Sequence, residues 1–373
     1  MSATVSDIIN LMEKIAPAGL SEEWDNPGIQ VGNKNWPVKK IWIALDPTPD
    51  VIDAACKNKI DLLITHHPLI FNPIKSIDFA STEGSAIYKA ATSGLAVFSA
   101  HTNLDSAKDG LNDLLALRIG LRNTRPLCVS GRHGKCKFVV YVPAGHEQNV
   151  MKSLFEIKAG VIGSYTCCSF RVSGKGTYMP GSSAKPFTGR IGEISDVDEV
   201  KIEAVALKEN IPQVVEHVRK FHPYETMAYD VYPLSEYENG RSGMGRVGEL
   251  KEKTELYILA EKIKHELSLK NVKISGNPRL PLTHAAVCTG SGSSLIKDFI
   301  KSEAQVYITG DLRYHDARTA ESEKRGLIDI GHFASEHIVV QDLTKRLRGM
   351  IRKAGYEVSV KACDIERDPF GIL

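Results

Sequence analysis

The chain has 373 residues, with 47 lysines and arginines, 45 aspartates and glutamates, and a formal net charge of +2. This near balance argues against a strongly basic nucleic-acid binder, so nucleic acid is not an expected partner. Hydrophobic residues make up 42% of the chain and charged residues 25%, which is typical of a globular protein and excludes disorder as its main state. At roughly 150 residues per domain, the length predicts two to three domains.

The first twenty residues predict an amphipathic helix and not a signal peptide, because they lack a basic start and carry Asp7 and Glu13 early. No apolar run approaches the ~18 residues of a membrane span, so no membrane partner is expected. The seven cysteines are odd in number and scattered without a CxxC pair, which favours free thiols. Together these features predict a cytoplasmic protein.

Strands and helices alternate from residue 38 to about residue 130. We predict strands over 38–46, 60–67 and 94–101. The intervening segments 49–58, 83–92 and 107–118 predict helices. Apolar strands separated by helices of this length are typical of a largely parallel sheet.

The pattern changes at residues 130–134, where a different unit is predicted to begin. Strands are predicted over 137–143, 165–174, 189–195, 200–207 and 227–234, with helices over 146–157 and 211–222. The segment 174–189, rich in glycine, serine and proline, predicts a loop or hairpin tip. This order of elements is close to the ferredoxin-like plan.

The first pattern resumes at about residue 250. Helices are predicted over 253–267 and 333–350 and after Gly290, and strands over 271–275, 283–288, 304–311 and 326–333. The simplest fold class is therefore α/β, with a discontinuous α/β core made of residues 1–130 and 246–373. An α+β domain, residues 131–245, is predicted to be inserted into it.

The strongest motif for chemistry is 64–68, in which His66 and His67 end an apolar strand before a proline. Parallel α/β folds place ligand sites at the carboxyl ends of strands. Adjacent strand residues point to opposite sides, so the two histidines could each serve one of two neighbouring ions. The alternative is that they are ordinary turn or core histidines.

Two further motifs follow predicted strands. Asp105 comes directly after the strand 94–101, although it could instead cap the next helix. His332 and Glu336 are four residues apart, so a helix places them on one face. The alternative for them is a surface pair, and His337 points elsewhere around the helix.

Together the three motifs offer three imidazoles and two carboxylates, a set that suits zinc, iron, manganese or cobalt. Carboxylates can bridge, so five ligands fit two ions with open positions better than one closed ion. Open positions are the catalytic arrangement.

The motifs 22–28, 31–32, 64–71, 101–105 and 331–336 resemble those of the dinuclear-metal-centre hexameric proteins. This family is also known as GTP cyclohydrolase I type 2 homologues or interacting-factor-three-like proteins, and the resemblance covers nearly the whole chain. It implies two divalent metal ions per subunit, with zinc, iron or manganese as candidates. The implied metal ligands are His66, His67, Asp105, His332 and Glu336.

The resemblance also implies an assembly and a domain type. The ions would face the cavity of a toroidal homohexamer built as a trimer of dimers. The segment 131–245 is similar to the PII/CutA-like insert of longer members. His101 matches a residue that lies close to the metals.

These features favour a metal-dependent hydrolase that acts on a nucleotide or a related small molecule, with His101 as the catalytic proton shuttle. The family label suggests opening of the purine ring of GTP, although a phosphoesterase or amidohydrolase would use the same ligands. The alternative is a non-enzymatic metal-binding scaffold or regulatory protein whose PII-like insert senses a ligand or partner.

Four other positions have two interpretations each. Residues 222–225 could form a second polar site or only a turn. Asp311 and His315 could orient the metal ligands or only start a helix. The glycines at 290–292 could hold a phosphate, although the lysine of a Walker motif is absent. Trp24 and Asn26 could fix the N-terminal helix or line the cavity.

Overall fold

The computed structural model describes residues 1–129, 135–162, 165–234 and 242–371, without the side chain of residue 209. Its first elements are β1 (Ala3–Thr4), α1 (Val5–Ile15), β2 (Gly28–Val31), β3 (Pro37–Val38), β4 (Lys40–Ala44), α2 (Pro49–Lys57), β5 (Leu62–Thr65), α3 (Thr82–Ser93), β6 (Ala96–Ser99), α4 (Thr102–Ser106), α5 (Leu111–Arg118) and β7 (Leu121–Val129). They are followed by β8 (Lys135–Pro143), α6 (Glu147–Glu156), β9 (Ser169–Tyr178), β10 (Ser195–Leu207), α7 (Ile211–Arg219) and β11 (Tyr229–Pro233). The last elements are β12 (Gly243–Glu255), α8 (Leu256–Glu266), β13 (Lys273–Ser275), β14 (Pro281–Ser291), α9 (Ile296–Lys301), β15 (Val306–Gly310), α10 (Tyr314–Ser322), β16 (Gly326–Asp329), α11 (His332–Glu336), α12 (Ile338–Lys353) and β17 (Ser359–Ala362).

The chain forms two compact units, one of Met1–Ser130 with Asn239–Leu373 and the other of Gly131–Glu238. The first unit holds two larger sheets, with strand orders β17-β4-β5-β6-β2 and β13-β16-β15-β14-β12-β7. Strands β17, β4, β5 and β6 are parallel, as are β14, β15 and β16, and the other pairs in these sheets are antiparallel. The predicted α/β class is therefore confirmed, with two mixed sheets where the sequence suggested one.

Strand β5 is buried on both faces of its sheet. Leu62 and Ile64 pack in a core with side chains of α1 and α12, while Leu63 packs in a second core with side chains of α2 and α3. Successive strand residues point to opposite faces, so a sheet with helices on both sides needs a continuous apolar run. This packing holds the carboxyl end of β5 rigidly, and the first candidate histidines follow there.

The helix ends that surround this sheet are fixed by local chemistry. Thr4 accepts a hydrogen bond from the backbone N–H of Asp7, and the Asp7 carboxylate accepts one from the Thr4 N–H, which forms a capping box for α1. Helix α3 ends at Gly94, whose φ of 70° lies in the left-handed region that glycine adopts without strain. The chain then turns directly into β6.

The second unit is an antiparallel sheet with two helices. Its element order is β8, α6, β9, β10, α7, β11, and its strand order is β11-β8-β10-β9. Phe138 and Ile202 from the sheet pack in one core with Leu154 of α6 and Val218 of α7. These apolar positions alternate along the strands with more exposed ones, as expected for a sheet covered on one face.

In the second unit one predicted strand is absent, and the predicted hairpin tip lies between Tyr178 and Ser195 and not over 174–189. The segment 189–195 is not a separate strand, because Gly189 and Gly192 take positive φ values of 89° and 77° that break an extended run. Strand β9 instead continues to Tyr178, into the predicted loop, because it pairs there with Ser195 at the start of β10. Cross-strand pairing thus overrides the local glycine content.

The first unit also differs from its prediction. The helix expected over 107–118 is shorter, since α5 spans Leu111–Arg118, and a separate helix, α4 (Thr102–Ser106), precedes it. The glycine-rich segment near residue 245 forms β12, which lies between β7 and β14. A Cβ at Gly248 would lie 2.6 Å from the carbonyl oxygen of Arg122 on β7, so the glycine permits this close strand approach. No helix within the described ranges is long and apolar enough to cross a bilayer.

Arg246 on β12 is a buried cation in the first unit, with its side chain 1% exposed. Its guanidinium donates two hydrogen bonds to the Asp113 carboxylate, at 2.5 and 2.8 Å. It also donates to the backbone carbonyls of Gly243, Gly245 and Ala107. A buried charge needs partners of this kind, so this network joins β12 to α5 and to the end of α4.

Replacing Asp113 with alanine leaves the Arg246 cation buried without its counter-charge. We expect the free energy of unfolding, measured by urea denaturation, to fall by about 3 kcal/mol or more. Glu321→Ala is the matched control, because it breaks the Arg318–Glu321 pair, in which both side chains are more than half exposed. That variant should lose at most ~1 kcal/mol. Equal losses in the two variants would contradict this role of Arg246.

Candidate metal centre

The candidate site begins at the carboxyl end of β5. His66 and His67 follow this strand, and His66 has a fully buried side chain whereas that of His67 is 22% exposed. The Ser99 hydroxyl donates a hydrogen bond to the backbone carbonyl of His66, and the Thr65 hydroxyl donates one to that of His67. The chain therefore leaves the strand in a fixed direction, and both imidazoles enter the same cluster, with ring centroids 5.1 Å apart.

Each histidine of the cluster is held at its Nδ1 atom by an oxygen outside the cluster. The four partners are the Ala100 carbonyl for His66 at 2.9 Å, Asp46 for His67 at 2.7 Å, Asp25 for His101 at 2.8 Å and Asp311 for His332 at 2.6 Å. A proton on Nδ1 that is donated outward leaves the Nε2 lone pair free. This is the arrangement that metal-binding histidines use.

Glu336 lies at the centre of the cluster and is 3% exposed. Its Oε2 atom is 3.1 Å from His67 Nε2 and 3.0 Å from His332 Nε2, and its Oε1 atom is 3.7 Å from His66 Nε2. Helix α11 places His332 and Glu336 on one face, as their spacing predicts. One carboxylate therefore faces three imidazoles.

Asp105 is the second buried carboxylate. Its Oδ1 atom is 3.7 Å from His66 Nε2 and accepts a hydrogen bond from the Thr289 hydroxyl at 3.2 Å. Burial raises the pKa of Asp105; the His66 imidazole lowers it and the nearby Glu336 carboxylate raises it further. Asp105 belongs to α4, so a helix and not a turn positions it.

Burial and charge act against each other on the other titratable groups. Burial lowers the pKa of His67, but the Asp46 and Glu336 carboxylates outweigh it and raise the value to about 10. Hydrogen bonds to Glu336 and Asp311 raise the pKa of His332 to about 9. Burial would raise the pKa of Glu336, but the three imidazoles that face its carboxylate hold it well below its usual range. Protons and a cation therefore compete for the same imidazole lone pairs.

These side chains fit a metal ion. One ligand atom from each of His66, His67 and His101 lies within 4.8 Å of the others, and the same holds for His67, His332 and Glu336. In the described part of the chain the buried Nε2 of His66 has no hydrogen-bond partner, which is costly unless another group occupies that position. Imidazole and carboxylate ligands suit zinc, iron or manganese. The residues can therefore hold a transition-metal ion.

The structure brings together every site residue predicted from the sequence. The list is His66, His67, His101, Asp105, His332 and Glu336. Asp46 and the role of Asp25 were missed, although Asp46 lies just after β4, the strand beside β5, and could have been found from that position. Asp311 contacts His332, whereas His315 packs against Tyr314.

Two other candidate segments have local roles in the structure. His222 Nε2 donates to the Tyr141 carbonyl while its Nδ1 accepts from the Tyr224 N–H, so both ring nitrogens serve the turn. The glycines at 290–292 lead into a 3-10 helix, Gly292–Leu295, and the Gly290 N–H donates to the Ser335 hydroxyl. These glycines do not form the N-terminus of an α-helix, so the structure does not support the phosphate-binding interpretation.

Gly290 is nevertheless essential to the packing of the site. Its φ is 62°, and a Cβ built on it would lie 2.1 Å from Glu336 Oε1 and 3.4 Å from His332 Nε2. Only a residue without a side chain lets the backbone of β14 approach the Glu336 carboxylate this closely.

An α/β fold with histidines and carboxylates converging at its strand ends defines a class of proteins with a candidate metal site. The sequence matches Duf34/NIF3 (NGG1p interacting factor 3) over residues 3–369, and the chain belongs to this family. The resemblance inferred from the motifs is thus confirmed.

Similar proteins extend over the full chain. A Bacillus subtilis (strain 168) protein named GTP cyclohydrolase 1 type 2 homolog is 36% identical over 372 residues, covering 100% of this chain and 99% of its own length. A Mycobacterium tuberculosis protein of the same name is 32% identical, with coverages of 100% and 98%. The solved structure of a Bacillus cereus protein related to NIF3 has a TM-score of 0.68 at 35% identity, and that of a Staphylococcus aureus protein has 0.69 at 27%. Both structures cover 100% of this chain and 99% of their own.

Replacing Gly290 with alanine should displace the Glu336 carboxylate and reduce metal uptake, measured by elemental analysis after loading with zinc. Gly94→Ala is the matched control, because Gly94 has a similar φ of 70° but open space around its Cβ position. Both variants should lose about 1 kcal/mol or more of stability from backbone strain. Only Gly290→Ala should lose metal, and full metal uptake by that variant would contradict the packing argument.

Proposed function

We propose that this protein is a metal-dependent hydrolase that acts on a nucleotide or a related small molecule. The observation that carries the proposal is the set of four histidines whose Nδ1 atoms are hydrogen-bonded outward, three of which face one buried carboxylate, Glu336. Purely structural histidines do not need such a common orientation. A buried site that contains several pre-oriented donors is typical of metal catalysis.

Two ions per chain fit the donors better than one. The two groups of ligand atoms share His67, and Glu336 presents its two oxygens to different imidazoles. We infer that His66, His67, Asp105, His332 and Glu336 hold two divalent ions, with zinc, iron or manganese as candidates. When bound, such ions supply Lewis acidity and lower the pKa of water.

His101 is the proposed proton shuttle. Its Nδ1 donates to Asp25, whose other oxygen accepts from the Thr102 N–H and hydroxyl. These bonds fix the imidazole plane and leave Nε2 to accept a proton from water or return one to a leaving group. Burial would raise the pKa of the Asp25 carboxyl, but hydrogen bonds from His101 and Thr102 hold it below its usual value. Asp25 therefore stays negatively charged beside His101.

The substrate class follows from the relatives and stays a proposal. The similar bacterial proteins are named GTP cyclohydrolase 1 type 2 homolog, so GTP and other purine nucleotides are the first substrates to test. The implied homohexamer, a trimer of dimers, belongs to the same proposal.

A second candidate is a metal-binding regulatory protein, and the topology of the second unit favours it. We infer that Gly131–Glu238 is an inserted domain in a discontinuous α/β core. The order of its strands in the sheet is fourth, first, third, second, which supports the ferredoxin-like plan of PII/CutA-like domains. Such an insert could sense a ligand or partner.

Purified protein loaded with zinc, iron or manganese should contain about two ions per chain and hydrolyse a nucleotide or phosphodiester. His66→Ala and Glu336→Ala should lose both metal and turnover because they remove inward-facing donors. His265→Ala, an exposed histidine on α8, is the control and should match the parent protein. Fewer than about one ion per chain would contradict the dinuclear centre. Full metal content without hydrolysis of any nucleotide or phosphodiester would contradict the hydrolase proposal and favour the regulatory function.

The role of His101 can be separated from metal binding by changing its partner. Asp25→Asn should lower kcat by about tenfold or more while metal content stays unchanged, because it disturbs the proton carrier alone. Asp311→Asn should instead weaken metal affinity about 10–100-fold, because Asp311 orients the proposed ligand His332. Loss of metal in Asp25→Asn would show that His101 is a ligand and not a shuttle.

A further inference from the structure

Two partly exposed aromatic side chains lie beside the candidate metal centre. Trp24 is 54% exposed and Phe71 is 47% exposed, and their ring centroids are 5.7 Å apart. Both contact the same imidazole. The His101 centroid is 5.9 Å from that of Trp24 and 6.3 Å from that of Phe71, with interplanar angles of 74° and 64°. An aromatic surface therefore adjoins the proposed proton shuttle.

Hydrogen bonds fix the backbone at both rings. Asp25, next to Trp24, is bonded to His101 and Thr102. Asn26 donates from its side chain to the carbonyl of Ile70, the residue before Phe71, at 2.7 Å. The two loops are therefore tied to each other and to the site, while the rings that they carry stay in contact with solvent.

The other two tryptophans of the chain are placed as tryptophans usually are, with their rings against an apolar core. Trp36 and Trp42 are partly buried and pack against apolar cores. Trp24 and Phe71 contribute much less hydrophobic stabilisation, because about half of each side chain is exposed. Hydrogen bonds nevertheless fix the loops that carry them. Exposed aromatic side chains held at the edge of a polar site are a common feature of ligand recognition.

Resting on the proposed function, we propose that Trp24 and Phe71 form a stacking surface for a fused planar heteroaromatic ring, such as a purine. The two rings are tilted by 49° to each other and each is about half exposed, and a planar ring can stack on an exposed aromatic face regardless of its substituents. A molecule stacked there has its adjacent groups beside His101, whose ring edge meets both aromatic side chains. This subsite selects substrates that carry a base over bare phosphoesters.

The test is calorimetric binding of guanosine to the zinc-loaded full chain, with ribose 5-phosphate as the probe that lacks the ring. Trp24→Ala and Phe71→Ala should each weaken guanosine binding, with about a tenfold or larger rise in Kd for Trp24→Ala. Trp24→Phe should retain most of the affinity because it keeps a π face. Phe79→Ala is the matched control, since Phe79 is also exposed and paired with an aromatic ring, Tyr88, at 4.6 Å.

Ribose 5-phosphate binding and metal content should be the same in all of these variants. Guanosine binding by Trp24→Ala at the affinity of the parent would overturn the proposal, as would failure of the parent to bind guanosine. The outcomes are separate from those of the hydrolase proposal. Guanosine binding that depends on Trp24, without hydrolysis of any nucleotide, would support the subsite and contradict the hydrolase proposal. Nucleotide hydrolysis with an unchanged KM in Trp24→Ala would support the hydrolase proposal and contradict the subsite.

Discussion

The hydrogen bond at the Nδ1 atom of each cluster histidine is the constraint on which the site depends. Imidazole has two nitrogens, and only the one that is not engaged elsewhere can face a cation or move a proton. Four oxygens from separate parts of the chain take up the Nδ1 protons, namely those of Ala100, Asp46, Asp25 and Asp311. The inward direction of the Nε2 atoms is thus set by the fold and not by the ligand residues alone.

The fold supplies three of those oxygens, from Asp46, Ala100 and Asp311, just after the ends of β4, β6 and β15. Asp46 follows β4, and its own backbone N–H donates to the carboxylate of Glu366, which also accepts from the N–H of Leu45. A residue seven positions from the C-terminus thereby positions the partner of His67. Parallel strands end at one edge of a sheet, so residues far apart in sequence meet there. The site therefore needs both halves of the discontinuous first unit.

The sequence could predict the six clustered residues because they follow apolar strands or share a helix face, which are local patterns. It could not reveal that Asp25 meets His101, since that contact joins positions 76 residues apart across a loop without periodicity. Glycine content misled the prediction in both directions. It suggested a loop or hairpin tip over 174–189, where β9 continues to Tyr178 because it pairs with β10, and it failed to exclude a strand at 189–195, where positive φ values break the run.

For the proposed dinuclear centre, the acidic residues around the histidines would compensate the charge of the two ions. Two buried divalent cations would be untenable among neutral imidazoles alone, because burial of an unpaired charge is costly. Asp105 and Glu336 inside the cluster, with Asp25, Asp46 and Asp311 behind the histidines, supply compensating negative charge. The outer carboxylates also increase the basicity of the imidazoles that they hold. A chain with an overall charge of only +2 can thus contain a local cluster of histidines and carboxylates, which its average composition conceals.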